Sequence, residues 1–258
     1  MVTIVTSMTD DLVNTFTSVN DIGLDIEGVD LCRMGTISII QLAVNDRCFL
    51  LDMLDADELL IKWLKTILES NSVVKIIHDC RMDADALKHI LNIQLTNVHD
   101  TSRWHHAITG NEDRNLNTVL TYNALTSNIV RDNSVYNSNH AFWATRPLTK
   151  TMIAWASGDV TLLQELRRRQ LIGANRMQEQ MAITASEANA TYTSEMSMDM
   201  ISVKNPGRFI GPSGNNIRRL QKETSTLIYP RGNRSSNTFA VFYKDEQSFN
   251  KVKHAARG

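Results

Sequence analysis

The pattern of apolar and polar positions predicts strands early in the chain, with helices between and after them. Short apolar runs that fit buried strands lie at residues 2–6, 37–44, 48–51 and 73–77. From Leu59 to Leu68, apolar residues recur at three- and four-residue spacing, which predicts a helix. Strands interleaved with helices are typical of a mixed α/β layer fold.

One further strand is acidic. An apolar run that starts at Ile22 ends with two carboxylates, Asp25 and Glu27, one residue apart. Because residues i and i+2 of a strand share a face, both acids face one way and Ile26 faces the core. Two acids on a buried strand repel each other and are costly to desolvate. A divalent cation would offset that cost, since hard cations prefer oxygen ligands. A solvated strand end without a ligand is the alternative.

The charge distribution divides the chain. Residues 203–258 contain 11 Lys and Arg but only 3 Asp and Glu. Residues 1–202 contain 16 Lys and Arg and 25 Asp and Glu, so the net charge of −1 is the sum of two regions of opposite charge. An acidic body and a basic tail indicate two domains, and the length of 258 residues allows them. The tail is therefore a candidate for binding nucleic acid.

Several classes of protein are disfavoured by the sequence. No apolar run approaches the ~20 residues of a membrane span, and the first residues lack the basic start and cleavage site of a signal peptide. Cys32, Cys48 and Cys80 are spread singly, with neither a disulfide framework nor zinc spacing. A reducing compartment is the expectation.

Two further acids complete a set that could support phosphodiester chemistry. Asp83 lies near the start of a helix that follows the run at residues 73–77, and Asp159 lies on a helix that starts near Thr149. Four convergent carboxylates can hold two metal ions, which activate a water and neutralise a leaving oxygen. A single Asp near a helix start is more often a cap, so the set matters rather than any one member.

These acids lie in three stretches that resemble the motifs of a known family. LDIEG, KIIHDCRMDADAL and WASGDVTLL resemble the three motifs of the ribonuclease D class of 3′–5′ exonucleases. The resemblance implies a ribonuclease H-like fold over residues 1–172. It also implies Mg²⁺ or Mn²⁺ held by Asp25, Glu27, Asp83 and Asp159. Nearby Asp79, Asp85 and Asp100 do not match those positions and are expected to be capping or surface acids.

The longer segment DIEGVDLCRMGTISIIQLA most resembles one branch of this class. That branch contains the Egalitarian RNA adaptor and the exonuclease-domain adaptors of the PIWI-interacting RNA pathway. That resemblance implies an adaptor for single-stranded RNA, which forms a homodimer. It also implies Tudor-domain and PIWI proteins as partners and cytoplasmic granules as the location. No membrane partner is expected, because no apolar run is long enough to span a bilayer.

One position departs from the pattern of active members. They carry Tyr four residues before the last Asp, or His five before it, whereas this chain has Trp155 and Ala154. An indole has one N–H donor and no acceptor, so it cannot act as the general base. Two hypotheses follow: a catalytically silent domain, or an exoribonuclease that relies on its metal ions.

The basic tail carries a second motif. A glycine-bounded loop and the helix after it offer backbone N–H groups and basic side chains to phosphate, at Gly211, Pro212, Ser213, Gly214, Asn215, Arg218, Arg219 and Lys222. GRFIGPSGNNIRRLQKET resembles a KH domain, whose GXXG loop clamps single-stranded nucleic acid. Pro212 and Ser213 stand where many KH loops are basic. A KH-like fold used for protein contacts is the alternative.

The expected organisation is an exonuclease domain at residues 1–172, a helical extension or linker at 173–195 and a smaller α+β KH-like domain at 196–258. The Asn- and Ser-rich stretch Asn123–His140 is expected to be a surface loop. The leading functional hypothesis is a non-catalytic RNA-binding adaptor in PIWI-interacting RNA biogenesis. An active metal-dependent exoribonuclease and a protein-interaction scaffold that does not bind RNA are the alternatives.

Overall fold

The computed structural model describes residues 1–112, 115–129, 131–132, 134–135, 139–232 and 236–257. The chain divides into two compact units. The first comprises residues 1–132 and 141–194, and the second comprises residues 133–140 and 195–258.

The first unit is built on a mixed sheet. Its strands, within the described ranges, are β1 (Val2–Val5), β2 (Asp21–Val29), β3 (Thr36–Val44), β4 (Arg47–Asp52), β5 (Val74–Ile77) and β6 (Val98–Asp100). They lie in the order β1-β4-β3-β2-β5-β6, with β2 antiparallel to β3 and parallel to β5. The predicted mixed α/β class is confirmed.

The helices that the structure describes in this unit begin, in most cases, at a side chain that caps them. They are α1 (Asp10–Phe16), α2 (Glu58–Leu68), α3 (Arg81–Ile90), α4 (Thr101–Thr109), α5 (Leu116–Tyr122), α6 (Lys150–Thr161), α7 (Leu163–Gly173) and α8 (Arg176–Tyr192). The side chains of Thr9, Asp57 and Thr149 accept backbone N–H groups at the starts of α1, α2 and α6. The helix expected to start near Thr149 is α6, and it is separated from α7 because the chain leaves helical geometry at Leu162.

The core of this unit explains the orientation of the acidic strand. Leu24 of β2 and Leu42 of β3 are fully buried, as are Leu60 and Leu64 on the inner face of α2. In β2, Ile26 is also buried, whereas the acids on either side of it are half-buried. The predicted alternation is therefore confirmed.

Residues 173–195, expected to be a helical extension or linker, contain α8. A capping box starts this helix. The Asn175 side chain accepts from the backbone N–H of Gln178, and the Gln178 side chain accepts from the backbone N–H of Asn175. The helix packs against α3, α4 and β6.

The second unit has the element order β-α-α-β-β-α. Its elements are β7 (Ser197–Ser202), α9 (Pro206–Ile210), α10 (Asn215–Thr224), β8 (Leu227–Pro230), β9 (Thr238–Tyr243) and α11 (Glu246–Arg257). The strands are antiparallel in the order β7-β9-β8. Val203, Phe239, Val241 and Val252 are buried in its core. Strand β9 and helix α11 close this unit.

In the described ranges, none of the helices combines the length and apolar character required to cross a bilayer.

Candidate active site

A cleft of about 420 Å³ in the first unit is lined by all four acids that the sequence singled out, Asp25, Glu27, Asp83 and Asp159. Asp25, Glu27 and Asp159 can each place a carboxylate oxygen so that the three oxygens lie within 4.8 Å of one another. Asp83 lines the same cleft outside that closest group.

The fold brings these acids together by simple geometry. In the parallel pair of β2 and β5, Gly23 lies opposite Ile76, so Asp25 extends just past the end of β5. The chain turns there into α3, and Asp83 is the third residue of that helix. Asp159 comes from α6, which packs against β2.

The acids are poorly stabilised as anions. Burial, opposed by the Arg131 charge, raises the pKa of Asp25 to about 6. Burial and the neighbouring Asp25 raise the pKa of Glu27 to about 8, again against Arg131. Burial and Asp25 also hold the pKa of Asp83 well above its usual range. Desolvation thus dominates, and a cation in the cleft would relieve it.

Two residues that sequence reasoning missed contact these acids. An Arg131 Nη2 lies 2.6 Å from Glu27 Oε1 and is also paired with Asp159 Oδ2. Asn128 Nδ2 donates to Asp159 Oδ1 at 2.7 Å. Both belong to the stretch Asn123–His140, expected to be a surface loop. Residues 123–129 contain no helix or strand, but Arg131 lines the cleft and Asn128 contacts Asp159; part of the rest lies outside the described residues.

Gly158 makes room for one of these contacts. A Cβ at this position would lie 2.2 Å from Asn128 Oδ1, so any side chain would require Asn128 to shift. The glycine before Asp159 therefore allows the asparagine to approach.

A third missed residue supports Asp25. Gln41 lies opposite Asp25 across β2 and β3, is fully buried, and donates through Nε2 to Asp25 Oδ2 at 3.3 Å. Its Oε1 has no hydrogen-bond partner within the described part of the chain. A polar residue within the apolar run of β3 was the available signal.

Trp155 is buried behind the cleft. It is 6% exposed, and its ring lies 5.5 Å from that of Phe142. It is absent from the residues that line the cleft, as is Ala154. His78 does line the cleft, and its Nδ1 lies 2.7 Å from Thr101 Oγ1. Helix α6 thus offers neither the hydroxyl nor the imidazole that active relatives carry at positions 155 and 154.

The donor set fits a hard divalent cation, because carboxylate oxygens are the ligands that Mg²⁺ and Mn²⁺ prefer. Asp25, Glu27 and Asp159 converge, and Asp83 is close enough to line the same cleft. When bound there, such an ion supplies charge for activating water and stabilising a leaving oxygen.

The acids outside the cleft have structural roles. Asp100 caps α4, as expected, but is fully buried. Asp85 is neither a cap nor a surface acid, so that expectation was wrong. It is fully buried and accepts from the Arg33 backbone N–H at 2.7 Å and from its guanidinium at 2.7 and 3.0 Å. Asp79 pairs with Arg81 at 2.8 Å.

The glycine loop of the second unit joins α9 to α10. Gly211 and Gly214 have φ of +74° and +76°, in the region that favours glycine. Pro212 and Ser213 between them are exposed, and Asn215 is the first residue of α10.

The basic residues on α10 differ in their contacts. Arg218 Nη2 donates to the Ser213 carbonyl and, at 2.7 Å, to Asn215 Oδ1. These hydrogen bonds from Arg218 stabilise the conformation of the glycine loop. Arg219 and Lys222 are exposed, and Arg219 lies 3.8 Å from the carboxylate of Glu223.

Known proteins resemble both the sequence and the fold. The sequence matches the family model described as 3′-5′ exonuclease over residues 3–169. The piRNA biogenesis protein EXD1 of Xenopus laevis is 29% identical over 164 residues, which cover 58% of this chain and 37% of that protein. The chain thus spans well under half the length of that relative.

Solved structures support the fold. Brucella melitensis NrnC with bound Mg²⁺ has a TM-score of 0.59 at 17% identity, over 74% of this chain and 89% of NrnC. Trypanosoma brucei RNase D in complex with RNA U12 has a TM-score of 0.61 at 23% identity, over 75% of this chain and 70% of that chain. These likenesses confirm the ribonuclease H-like architecture. The chain belongs to the 3′–5′ exonuclease family.

Proposed function

We propose that this chain binds single-stranded RNA in PIWI-interacting RNA biogenesis and that its exonuclease domain does not cleave RNA. The observation that carries the proposal is the buried indole of Trp155 one helical turn before Asp159, where active relatives carry a tyrosine. The name of the EXD1 relative, a piRNA biogenesis protein, supports the pathway.

The chemical reason concerns the attacking water. Hydrolysis of a phosphodiester requires a group that positions this water and accepts its proton. Neither Trp155 nor Ala154 has an acceptor, and both lie outside the lining of the cleft. The acids can hold charge in the cleft, but α6 does not supply the water-positioning group.

An active metal-dependent 3′–5′ exoribonuclease is the second candidate. It is favoured by the convergence of Asp25, Glu27 and Asp159, because metal ions supply much of the catalysis in two-metal sites. The two candidates differ in whether RNA is shortened.

The second unit supports the RNA-binding part of the proposal. Its element order and its antiparallel sheet β7-β9-β8 suit a KH-like domain, as does the glycine loop between two helices. The positive φ at Gly211 and Gly214 allows close approach of a phosphate backbone. Exposed Arg219 and Lys222 add positive charge on the same helix.

The experiment incubates the chain with end-labelled single-stranded RNA at low salt, with and without Mn²⁺, and records the bound fraction and the product length. We expect binding without shortening. Shortening from the 3′ end that requires Mn²⁺ and disappears in Asp25→Ala would contradict the proposal and support the exoribonuclease.

A matched pair of variants tests the role of position 155. At saturating Mn²⁺, Trp155→Tyr supplies a hydroxyl, whereas Trp155→Phe keeps an aromatic ring without one. We expect slow 3′ shortening by Trp155→Tyr and none by Trp155→Phe. Equal products from both variants would show that the hydroxyl is not the missing element.

A second pair of variants tests the glycine loop. Gly214→Asp adds a negative charge where phosphate is expected and forces a side chain towards Arg218. Gly173→Asp adds the same charge in open space at the end of α7. We expect Gly214→Asp alone to weaken RNA binding and to flatten its salt dependence. No binding by the parent chain even at low salt would favour the protein-interaction scaffold.

Three features remain predictions from the resemblance: homodimerisation, binding of Tudor-domain and PIWI proteins, and location in cytoplasmic granules.

A further inference from the structure

Arg131 places positive charge between carboxylates from two different elements. One guanidinium nitrogen contacts both Glu27 of β2, at 2.6 Å, and Asp159 of α6. Its side chain is 24% exposed, and those of Glu27 and Asp159 are 13% and 16% exposed. Charge-assisted bonds in so shielded a place are stronger than those at an open surface.

Two tryptophans flank the same guanidinium. Its central carbon lies 5.4 Å from the ring of Trp143 and 5.8 Å from the ring of Trp155. Indole faces attract cations at these distances. The residue that replaces the water-positioning tyrosine thus contributes an aromatic face to the arginine.

The guanidinium and a divalent cation require the same oxygens. The carboxylates of Glu27 and Asp159, together with Asp25, form the group whose oxygens converge within 4.8 Å. A metal ion bound between them needs lone pairs that Arg131 already uses, and two cations at that distance repel each other. Occupancy by one therefore opposes occupancy by the other.

We propose that Arg131 is an intramolecular counter-ion that occupies the cation position of this exonuclease fold, so that a divalent metal binds only by displacing it. The charge of Arg131 thereby offsets part of the negative charge of the acid cluster without metal. This inference concerns metal binding and does not rest on the proposed absence of cleavage, because a metal that displaced Arg131 could still act.

The experiment compares the parent chain with Arg131→Gln, which removes the charge and keeps a polar side chain. Arg47→Gln is the matched control, because Arg47 also combines an ion pair, with Asp11, and a ring contact, 4.7 Å from Phe49, and does not line the cleft. Calorimetric titration gives the Mn²⁺ affinity, and thermal unfolding in EDTA and in Mn²⁺ gives the midpoints.

We expect Arg131→Gln to bind Mn²⁺ at least about tenfold more tightly than the parent, since charge-assisted bonds no longer compete. We also expect a lower midpoint for it in EDTA, restored by Mn²⁺. The parent and Arg47→Gln should show little response to Mn²⁺. Equal Mn²⁺ affinities of the parent and Arg131→Gln would overturn the inference.

A double variant keeps the test valid if Arg131→Gln does not fold in EDTA. Arg131→Gln with Asp159→Asn removes one charge of each sign, so we expect it to fold in EDTA with a midpoint that Mn²⁺ does not raise. A double variant that needs Mn²⁺ to fold would contradict the counter-ion role. Because neither readout involves RNA, failure here is distinct from failure of the proposed function.

Discussion

Two groups of acids in the first unit are treated in opposite ways by the fold. Asp85 and Asp100 are fully buried, and protein donors surround them. Asp25 and Glu27 are less buried, yet the nearest basic group is one arginine from a distant part of the chain.

Asp100 shows how a buried carboxylate is stabilised as an anion. Its burial alone would raise its pKa. Hydrogen bonds from Ser102 and from the backbone of Asp79 and Cys80, together with the charge of His78, instead hold that pKa below its usual range. Asn189 also donates to it.

Asp25, Glu27 and Asp83 receive fewer hydrogen bonds than Asp100, and their pKa values rise. The difference teaches that burial by itself does not define a functional acid. A structural acid accepts hydrogen bonds from the surrounding backbone and side chains, whereas an acid that can coordinate a metal ion keeps lone pairs for the cation. In this chain Arg131 uses lone pairs of two such acids.

The largest expected effect comes from removing a structural acid. Asp100→Ala leaves several buried donors without an acceptor, so we expect the free energy of unfolding to fall by about 3–5 kcal/mol. Asp83→Ala removes a poorly stabilised charge, and we expect it to change stability by less than about 1 kcal/mol or to raise it. Urea unfolding in EDTA measures both. Equal losses would remove the distinction between the two groups.

A smaller effect, which depends on pH, comes from neutralising a cleft acid. The pKa of Asp25 in the fold, about 6, exceeds its value in the unfolded chain. The folded state therefore binds more protons, and this contribution to stability is lost as pH rises through about 4 to 6. Asp25→Asn mimics the protonated form, so we expect it to be more stable than the parent by about 1–3 kcal/mol at pH 7.5 and similar to it at pH 4.

Urea unfolding at both pH values, without metal, tests this expectation. A parent chain as stable as Asp25→Asn at pH 7.5 would mean that the anion is satisfied in the fold.

The smallest effect is expected at a partly exposed structural acid. Asp79 pairs with Arg81 but keeps 23% of its side chain exposed. Its φ of +55° is one that asparagine also tolerates. Asp79→Asn should therefore lower the free energy of unfolding by only about 0.5–1 kcal/mol. A loss as large as that of Asp100→Ala would show that donor geometry matters more than burial.

The sequence was sufficient for features that depend on local pattern. Alternation predicted the common face of Asp25 and Glu27, and capping chemistry predicted the start of α6 at Thr149. The order of strands and helices predicted the mixed α/β class.

Features that depend on distant contacts were not accessible in this way. Asp85 is buried because Arg33, 52 residues earlier, reaches it. Arg131 and Asn128 lie in a polar stretch without periodicity, and tertiary contacts with Asp159 bring them to the cleft. Nothing local distinguishes such residues from those of an ordinary surface loop.

The most direct test of Arg131 as an intramolecular counter-ion is crystallographic. Crystals of the parent chain and of Arg131→Gln would be soaked in Mn²⁺ at a concentration that saturates the variant, and anomalous difference maps would be compared. We expect a manganese peak between Asp25, Glu27 and Asp159 in the variant. In the parent we expect no peak, with the guanidinium on its two carboxylates. A full manganese peak in the parent would contradict the proposed role of Arg131.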